Sequence, residues 1–177
     1  QPNLLAFLRS QHLPVTAIVR RVSGDPVDTV VFEDFAGSQA ATQHLISLSH
    51  RRIGFVGGDV QHSSNHERWR GYLQALREAG LPLHDELVKL GTTRSTWGAM
   101  AASELLRLMD PPTALFVASN AIMPGVMRCL RQRGLRLPAE MSLICFDDID
   151  WFSYSMPPIT AIRTAHNRLA EAAVDLL

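Results

Sequence analysis

Three carboxylates come directly after a short apolar run in the last quarter of the chain. Residues 143–146 (LICF) have the continuous apolar character of a strand buried in a parallel sheet, and Asp147, Asp148 and Asp150 follow them. Ligands of open α/β sheets bind beyond the carboxyl ends of the strands. The carboxylates could accept hydrogen bonds from a ligand, form an acid–base pair, hold Mg²⁺ or lie solvated in a loop. Their position alone does not choose among these uses.

Other chemical motifs are weak or missing. His62 and His66 have the four-residue spacing of zinc ligands on a helix, with Glu67 beside them. However, the order HExxH is lacking, and residues 60–65 look like a loop, so we expect no metal site. The chain has no GxGxxG after a strand, no GxxxxGK[ST] loop and no GxSxG elbow. The sequence therefore favours a binding domain over an enzyme, and we expect no cofactor.

The composition is that of a globular protein with a substantial core. The chain has 177 residues, of which 46% are apolar and 19% charged. No apolar run approaches the roughly 20 residues of a membrane span, and the N-terminal sequence lacks the pattern of a signal peptide. Seventeen basic and seventeen acidic residues cancel, so this segment alone should not bind nucleic acid tightly. Cys129 and Cys145 lie in apolar stretches and are predicted to be reduced core residues, which fits a cytoplasmic protein.

Strand-like and helix-like segments alternate along the chain. Short apolar or β-branched runs predict strands at residues 15–19, 29–32, 52–56, 87–90, 113–118 and 143–146. Helical spacing predicts helices at 37–48, 67–78, 97–108, 122–130 and from 169 to the end. This order indicates an α/β protein with a mainly parallel, doubly wound sheet. The chain opens and closes on a helix, so we expect both ends to be cut from a longer domain.

Segments along most of the chain match one family pattern in register. They are residues 33–37 (EDFAG), 41–58, 68–72 (RWRGY), 112–116 (PTALF), 137–148 and 159–163 (ITAIR). Together they resemble the effector-binding domain of the LacI/GalR (lactose-repressor) family of bacterial transcription regulators. The first segment follows the family's Asp-Asn-x-x-Gly with Glu33 in place of Asp. Ser49 and Cys145 stand where the family usually has glycine.

The resemblance implies a two-lobed, periplasmic-binding-protein-like type I fold with one lobe incomplete in this chain. Residues 1–47 would be a fragment of the N-terminal lobe, and residues 48–155 would form the C-terminal lobe. Residues 156–177 would cross back and return a helix to the N-terminal lobe. The family's helix-turn-helix, which enters the major groove of DNA, is absent from this sequence.

The resemblance also implies a ligand-binding set of Arg68, Asp147, Asn120, Ser64 and His62. A guanidinium offers a fork of donors to vicinal oxygens, and a carboxylate accepts from hydroxyl or N–H groups. Alternative roles remain open: Arg68 as a surface arginine of its helix, and Asn120 as the cap of the helix that follows it. Asp148 is expected to support the loop rather than to contact ligand.

The implied function is to sense a small effector, sugar-like or nucleoside-like, in the cleft between the lobes. Effector binding would alter operator binding by a homodimeric, cytoplasmic repressor that does not associate with membranes. The alternative is a periplasmic sugar-binding protein of an uptake system, which has the same fold. A third interpretation is a hydrolase or isomerase that uses Asp147 and Asp148 as acid and base.

Overall fold

The computed structural model describes residues 4–22, 24 and 27–177. Residues 1–3, 23, 25 and 26, which belong to the predicted N-terminal fragment 1–47, lie outside the described residues. In the described part, no helix is both long and apolar enough to cross a membrane.

Helices and strands alternate as predicted. The strands are β1 (Thr16–Ile18), β2 (Asp28–Val30), β3 (Ile53–Gly57), β4 (Val88–Leu90), β5 (Ala114–Val117), β6 (Ser142–Phe146) and β7 (Thr160–Ile162). The helices are α1 (Leu4–Ser10), α2 (Asp34–Ser47), α3 (Ser63–Glu78), α4 (Ser95–Leu105), α5 (Met123–Gln132), α6 (Trp151–Tyr154) and α7 (His166–Asp175). A short 3₁₀ turn, Asp85–Leu87, leads into β4.

The main sheet has five strands in the order β4-β3-β5-β6-β7, and every neighbouring pair is parallel. This confirms the predicted α/β architecture. The order reverses at β3, because β4 lies on one side of it and all later strands lie on the other. Since the strands are parallel, their carboxyl ends meet at one edge, where ligands of such sheets bind.

Side chains alternate between two cores on opposite faces of this sheet. Along β5, Phe116 packs with Leu45 of α2 and Tyr72 of α3 on one face. Its neighbours Leu115 and Val117 pack on the other face, against a core that α4 and α5 supply. Both cysteines are buried free thiols, as predicted. The period of two along fully buried strands thus directs each pair of helices to its own face.

A second, smaller sheet pairs β1 with β2 in parallel, with Thr16 opposite Asp28. Helix α7 contacts both strands. The segment after β1 also approaches α3, because the backbone N–H of Arg21 donates to Ser63 Oγ at 2.9 Å. The smaller sheet therefore borders the start of α3.

The structure corrects the predicted start of α3. The helix begins at Ser63, so the interpretation of residues 60–65 as a loop is wrong for Ser63, Ser64 and Asn65. The turn before the helix is held by Asn65, whose amide Nδ2 donates to the carbonyl of Asp59 at 2.9 Å. The first helical bond then runs from His66 N–H to the carbonyl of His62 at 3.0 Å.

Two elements extend the main layer beyond residues 48–155. Helix α2 packs on α3 and against β6, and β7 continues the sheet with Ile144 opposite Thr160. Burial of Ala41 and Leu45 under the sheet explains why α2 lies here. The division of the fold into two lobes, with residues 48–155 as the C-terminal lobe, stays a prediction.

Helices α2 and α3 approach each other closely at Gly71. A Cβ at this position would overlap the carbonyl oxygen of Phe35 and lie 2.8 Å from Ser38 Cβ. Only glycine therefore allows this spacing of the two backbones.

We expect Gly71→Ala to destabilise the protein by about 1–3 kcal/mol, because overpacking here must push α2 away from α3. Urea unfolding would measure the loss. Arg77→Ala, on the exposed side of the same helix, is the control and should change the free energy of unfolding by less than about 0.5 kcal/mol. Equal effects of the two substitutions would contradict the close packing at Gly71.

Candidate ligand-binding site

Arg68 is a buried cation in the second turn of α3. Its side chain is only 6% exposed. The guanidinium Nε donates to Asp34 Oδ1 at 2.7 Å, and Nη1 donates to the carbonyl oxygen of Ala118 at 2.8 Å. The alternative of a surface arginine is therefore wrong, because α3 directs this residue toward the carboxyl ends of the strands.

Asp147 lies directly after β6 and reaches the same guanidinium. Its Oδ2 is 3.5 Å from Arg68 Nη1, and its Oδ1 accepts from Thr164 Oγ1 at 3.1 Å. The backbone of Asp147 has a φ of +70°. Aspartate tolerates this left-handed conformation better than most residues, and it turns the chain sharply at the end of the strand. Arg68 and Asp147, which the resemblance paired, are thus adjacent in the structure.

Phe146 completes the surroundings of the guanidinium. The Arg68 Cζ lies over the Phe146 ring, 3.8 Å from its centroid, in a cation–π contact. Gly37 of α2 faces the same ring, since a Cβ at that position would lie 2.9 Å from Phe146 Cε2. A side chain on residue 37 would displace the ring that supports Arg68.

Asp34 is a member of this cluster that the sequence did not single out. It begins α2, is buried, and accepts the shortest bond that Arg68 makes to a carboxylate. Burial raises the pKa of Asp34 above its ordinary value, and this effect outweighs the attraction of Arg68, which lowers it. The only signal in the sequence was the match of residues 33–37 to a family motif, and that match does not indicate that Asp34 pairs with Arg68.

Hydrogen bonds continue from Asp147 toward α7. Thr164 Oγ1, which donates to Asp147, also lies 2.9 Å from His166 Nε2. The His166 ring packs edge-on against Phe32, with 5.1 Å between centroids. These contacts join the Arg68 cluster to α7, the helix that contacts the smaller sheet.

The other predicted site residues, Ser64, His62 and Asn120, differ from one another in burial and in their contacts. Ser64 is buried and lines a cavity of about 320 Å³ together with Asp34 and Arg21. His62 is exposed, precedes α3 and is not among the residues that line this cavity. Asn120 lies two residues after Ala118 and accepts the backbone N–H of Met123 through its carbonyl at 3.2 Å.

The alternative role of Asn120 as a side-chain cap is wrong. Helix α5 has no side-chain hydrogen bond at its N-cap, which is Ile122. Instead, Ser119 Oγ accepts the backbone N–H of Ala121 at 3.3 Å and so stabilises the turn before the helix. The side chain of Asn120 remains half-buried at the carboxyl edge of the sheet.

The carboxylates at this edge do not form a cluster of their own. Asp148 pairs with Arg163 at 3.0 Å, whereas Asp147 faces Arg68 and Thr164. Across residues 4–22, 24 and 27–177, no group of three His, Cys, Asp or Glu side chains is arranged to hold a metal ion.

A larger cavity of about 1180 Å³ lies between α5 and α6, and none of Arg68, Asp34 and Asp147 lines it. Its lining is mainly apolar and arginine side chains, without the convergent polar groups found beside Arg68. The carboxyl edge of the sheet, where acceptors and donors converge on one buried cation, is therefore the candidate site.

The sheet and the position of this cluster define a periplasmic-binding-protein-like α/β fold. A family model described as a periplasmic binding protein-like domain matches residues 42–177. The chain belongs to this family, and within it to the effector-binding domains of the LacI/GalR regulators.

Named relatives agree with this assignment. The chain is 32% identical over 173 residues to the HTH-type transcriptional repressor PurR of Actinobacillus pleuropneumoniae serotype 3 (strain JL03), covering 98% of this chain and 52% of the relative. A LacI family transcriptional regulator from Mycobacterium smegmatis matches with a TM-score of 0.87 and 33% identity, over 97% of this chain and 63% of that chain. The CelR–cellobiose complex matches with a TM-score of 0.89 and 30% identity, over 99% and 54%. The chain thus spans about half the length of the curated relative.

The raised pKa of Asp34 predicts a pH dependence of stability. The native state holds the Asp34 proton more tightly than the unfolded chain does, so this residue's contribution to the free energy of unfolding falls as pH rises from 3.8 through the raised pKa. Urea unfolding at several pH values should show wild-type stability declining relative to Asp34→Asn over that interval. A wild-type advantage over Asp34→Asn that grows with pH across that interval would refute the assignment.

Proposed function

We propose that this chain is the effector-sensing part of a bacterial DNA-binding transcription repressor. The observation that carries the proposal is the buried guanidinium of Arg68, held between Asp34 and Asp147 at the carboxyl edge of a parallel sheet. A buried charge is expensive unless it is paired and hydrogen-bonded, and the cluster supplies carboxylates, a backbone carbonyl and an aromatic face. Such a preorganised polar group is suited to binding a hydroxylated ligand.

The site borders both sheets, which suits it to detect closure of a cleft. Its cavity is lined by Asp34 and Ser64 from the main layer and by Arg21 from the segment after β1. The bond between Arg21 N–H and Ser63 Oγ joins the same two parts. An effector held here would contact both sides, and its binding energy would favour the closed arrangement. Closure would then change the geometry of DNA-binding heads carried by the rest of the protein.

The regulator is favoured over a periplasmic uptake protein by the names of the relatives, which are transcription regulators. We accordingly propose a cytoplasmic protein that binds operator DNA through a helix-turn-helix outside this chain. We also propose that it is not an enzyme, because Asp147 and Asp148 are engaged in separate ion pairs rather than arranged as an acid and a base.

The effector is proposed to be a sugar-like or nucleoside-like molecule. A cellobiose complex among the structural neighbours supports a hydroxylated ligand in this fold. Asp147, Asn120 and Ser64 are the proposed partners of Arg68 in binding it. His62 is exposed, so we propose that it contacts only a part of the ligand that extends to the protein surface.

Effector binding should depend on Asp147. A thermal-shift screen of sugars and nucleosides would identify an effector, and calorimetry would give its affinity. We expect Asp147→Ala to weaken binding by about 1–3 kcal/mol, because partners of the carboxylate are left unpaired in a closed cleft. Asp150→Ala, three residues further on and exposed, should bind like the wild type. Unchanged affinity in Asp147→Ala would refute the site assignment.

The complete regulator should be a homodimer, since paired operator half-sites require paired DNA-binding heads. Light scattering of the full-length protein should give twice the mass of one chain, with and without operator DNA. A monomer that binds its operator normally would contradict this expectation.

A further inference from the structure

We propose that Asp34 is a specificity-determining residue, which fixes the orientation of Arg68 and excludes anionic effectors from the site. The site would take an uncharged molecule that presents a hydroxyl or N–H donor next to an acceptor oxygen or nitrogen. This inference rests on the proposed sensing function and names the chemical class of its ligand.

The guanidinium of Arg68 donates hydrogen bonds to three residues of the cluster. Asp34 Oδ1 accepts from Nε, while Ala118 and Asp147 accept from Nη1. An arginine has five N–H donors, and these contacts use the N–H of Nε and the two N–H groups of Nη1. Nη2 donates to no residue in the described part of the chain, so its N–H groups are those left for a ligand.

The access of a ligand to this cluster depends on which of its polar atoms are unpaired and not fully buried. Among the residues that the structure describes, Thr16 Oγ1 is the one fully buried side-chain polar atom without a partner. Arg68 Nη2 and Asp34 Oδ2 have no partner in this part of the chain either and are not among the fully buried atoms, so each keeps some exposed surface although the two side chains are only 6% and 4% exposed. The cluster thus offers a ligand two N–H donors and one carboxylate oxygen, close to the cavity that Asp34 and Ser64 line.

The charge of the cluster disfavours the binding of anions. One guanidinium faces two carboxylates, so the cluster carries a net negative charge when Asp34 and Asp147 are ionised. The cavity is also lined by Glu33 and Glu67, against Arg21 as its one lining cation among the described residues. An anion that approached Arg68 would meet Asp34 Oδ2 in a poorly solvated setting, where like charges repel strongly. A neutral ligand would instead donate to Oδ2 and accept from Nη2.

The residue type at position 34 differs between this chain and the family pattern. The family pattern Asp-Asn-x-x-Gly has a neutral asparagine where this chain has Asp34. An asparagine could accept the Nε bond through its carbonyl oxygen without adding charge. The carboxylate at this position therefore changes the charge of the site while it preserves the bond that orients Arg68.

The test is a calorimetric titration of the protein with inorganic phosphate at neutral pH. We expect weak phosphate binding by the wild type and affinity that is higher by about tenfold or more in Asp34→Asn, because the isosteric amide removes the repelling charge. Asp148→Asn removes the same charge from the neighbouring ion pair with Arg163 and should leave phosphate affinity unchanged. Asp34→Ser serves as a second uncharged variant should Asp34→Asn fail to fold.

Equal phosphate affinity in the wild type and the uncharged variants would overturn the proposal, as would an equal gain in Asp148→Asn, since that would reveal only a general charge effect. Tight phosphate binding by the wild type would overturn it without any variant. Failure of the sensing function itself would appear separately, as the absence of any sugar or nucleoside that raises the melting temperature of the wild type.

Discussion

The ion pair between Arg68 and Asp34 joins the fold to the site. Removing two charges from water costs several kcal/mol per ion, and good geometry with further hydrogen bonds must offset that cost. Here Ala118, Asp147 and the ring of Phe146 contribute to the offset. The same pair connects the first residue of α2 to α3, and Ser38 Oγ of α2 donates to the carbonyl of Arg68. The ion pair therefore contributes both to the contact between the two helices and to the orientation of the guanidinium.

The architecture was predictable because it follows from local patterns. Fully apolar runs such as residues 53–57 and 114–117 alternate with segments of helical spacing, and this is enough to indicate a parallel sheet. The start of α3 was not predictable in this way, because it depends on the side chain of Asn65 bonding to the backbone of Asp59. No apolar periodicity reports such a contact.

The candidate site was predictable only in part. The family resemblance brought Arg68 and Asp147 to notice, and the structure places them 3.5 Å apart. Asp34 and Thr164 were missed, since each is defined by a partner at least 17 positions away in sequence. The group of Ala118 that accepts from Arg68 is its backbone carbonyl, and any residue at position 118 would supply the same group, so the residue type gives no signal. Such groups become visible only when the parallel order of the strands brings their carboxyl ends together.

The contact between Gly37 and Phe146 couples a residue without a side chain to the position of a charge. The Phe146 ring lies between the backbone of α2 at Gly37 and the guanidinium of Arg68. A Cβ at position 37 would also lie 3.2 Å from Ile162 Cγ2, so the ring is confined on the side of β7 as well. A substitution at position 37 would therefore relocate the charge centre of the cluster without altering any charged group.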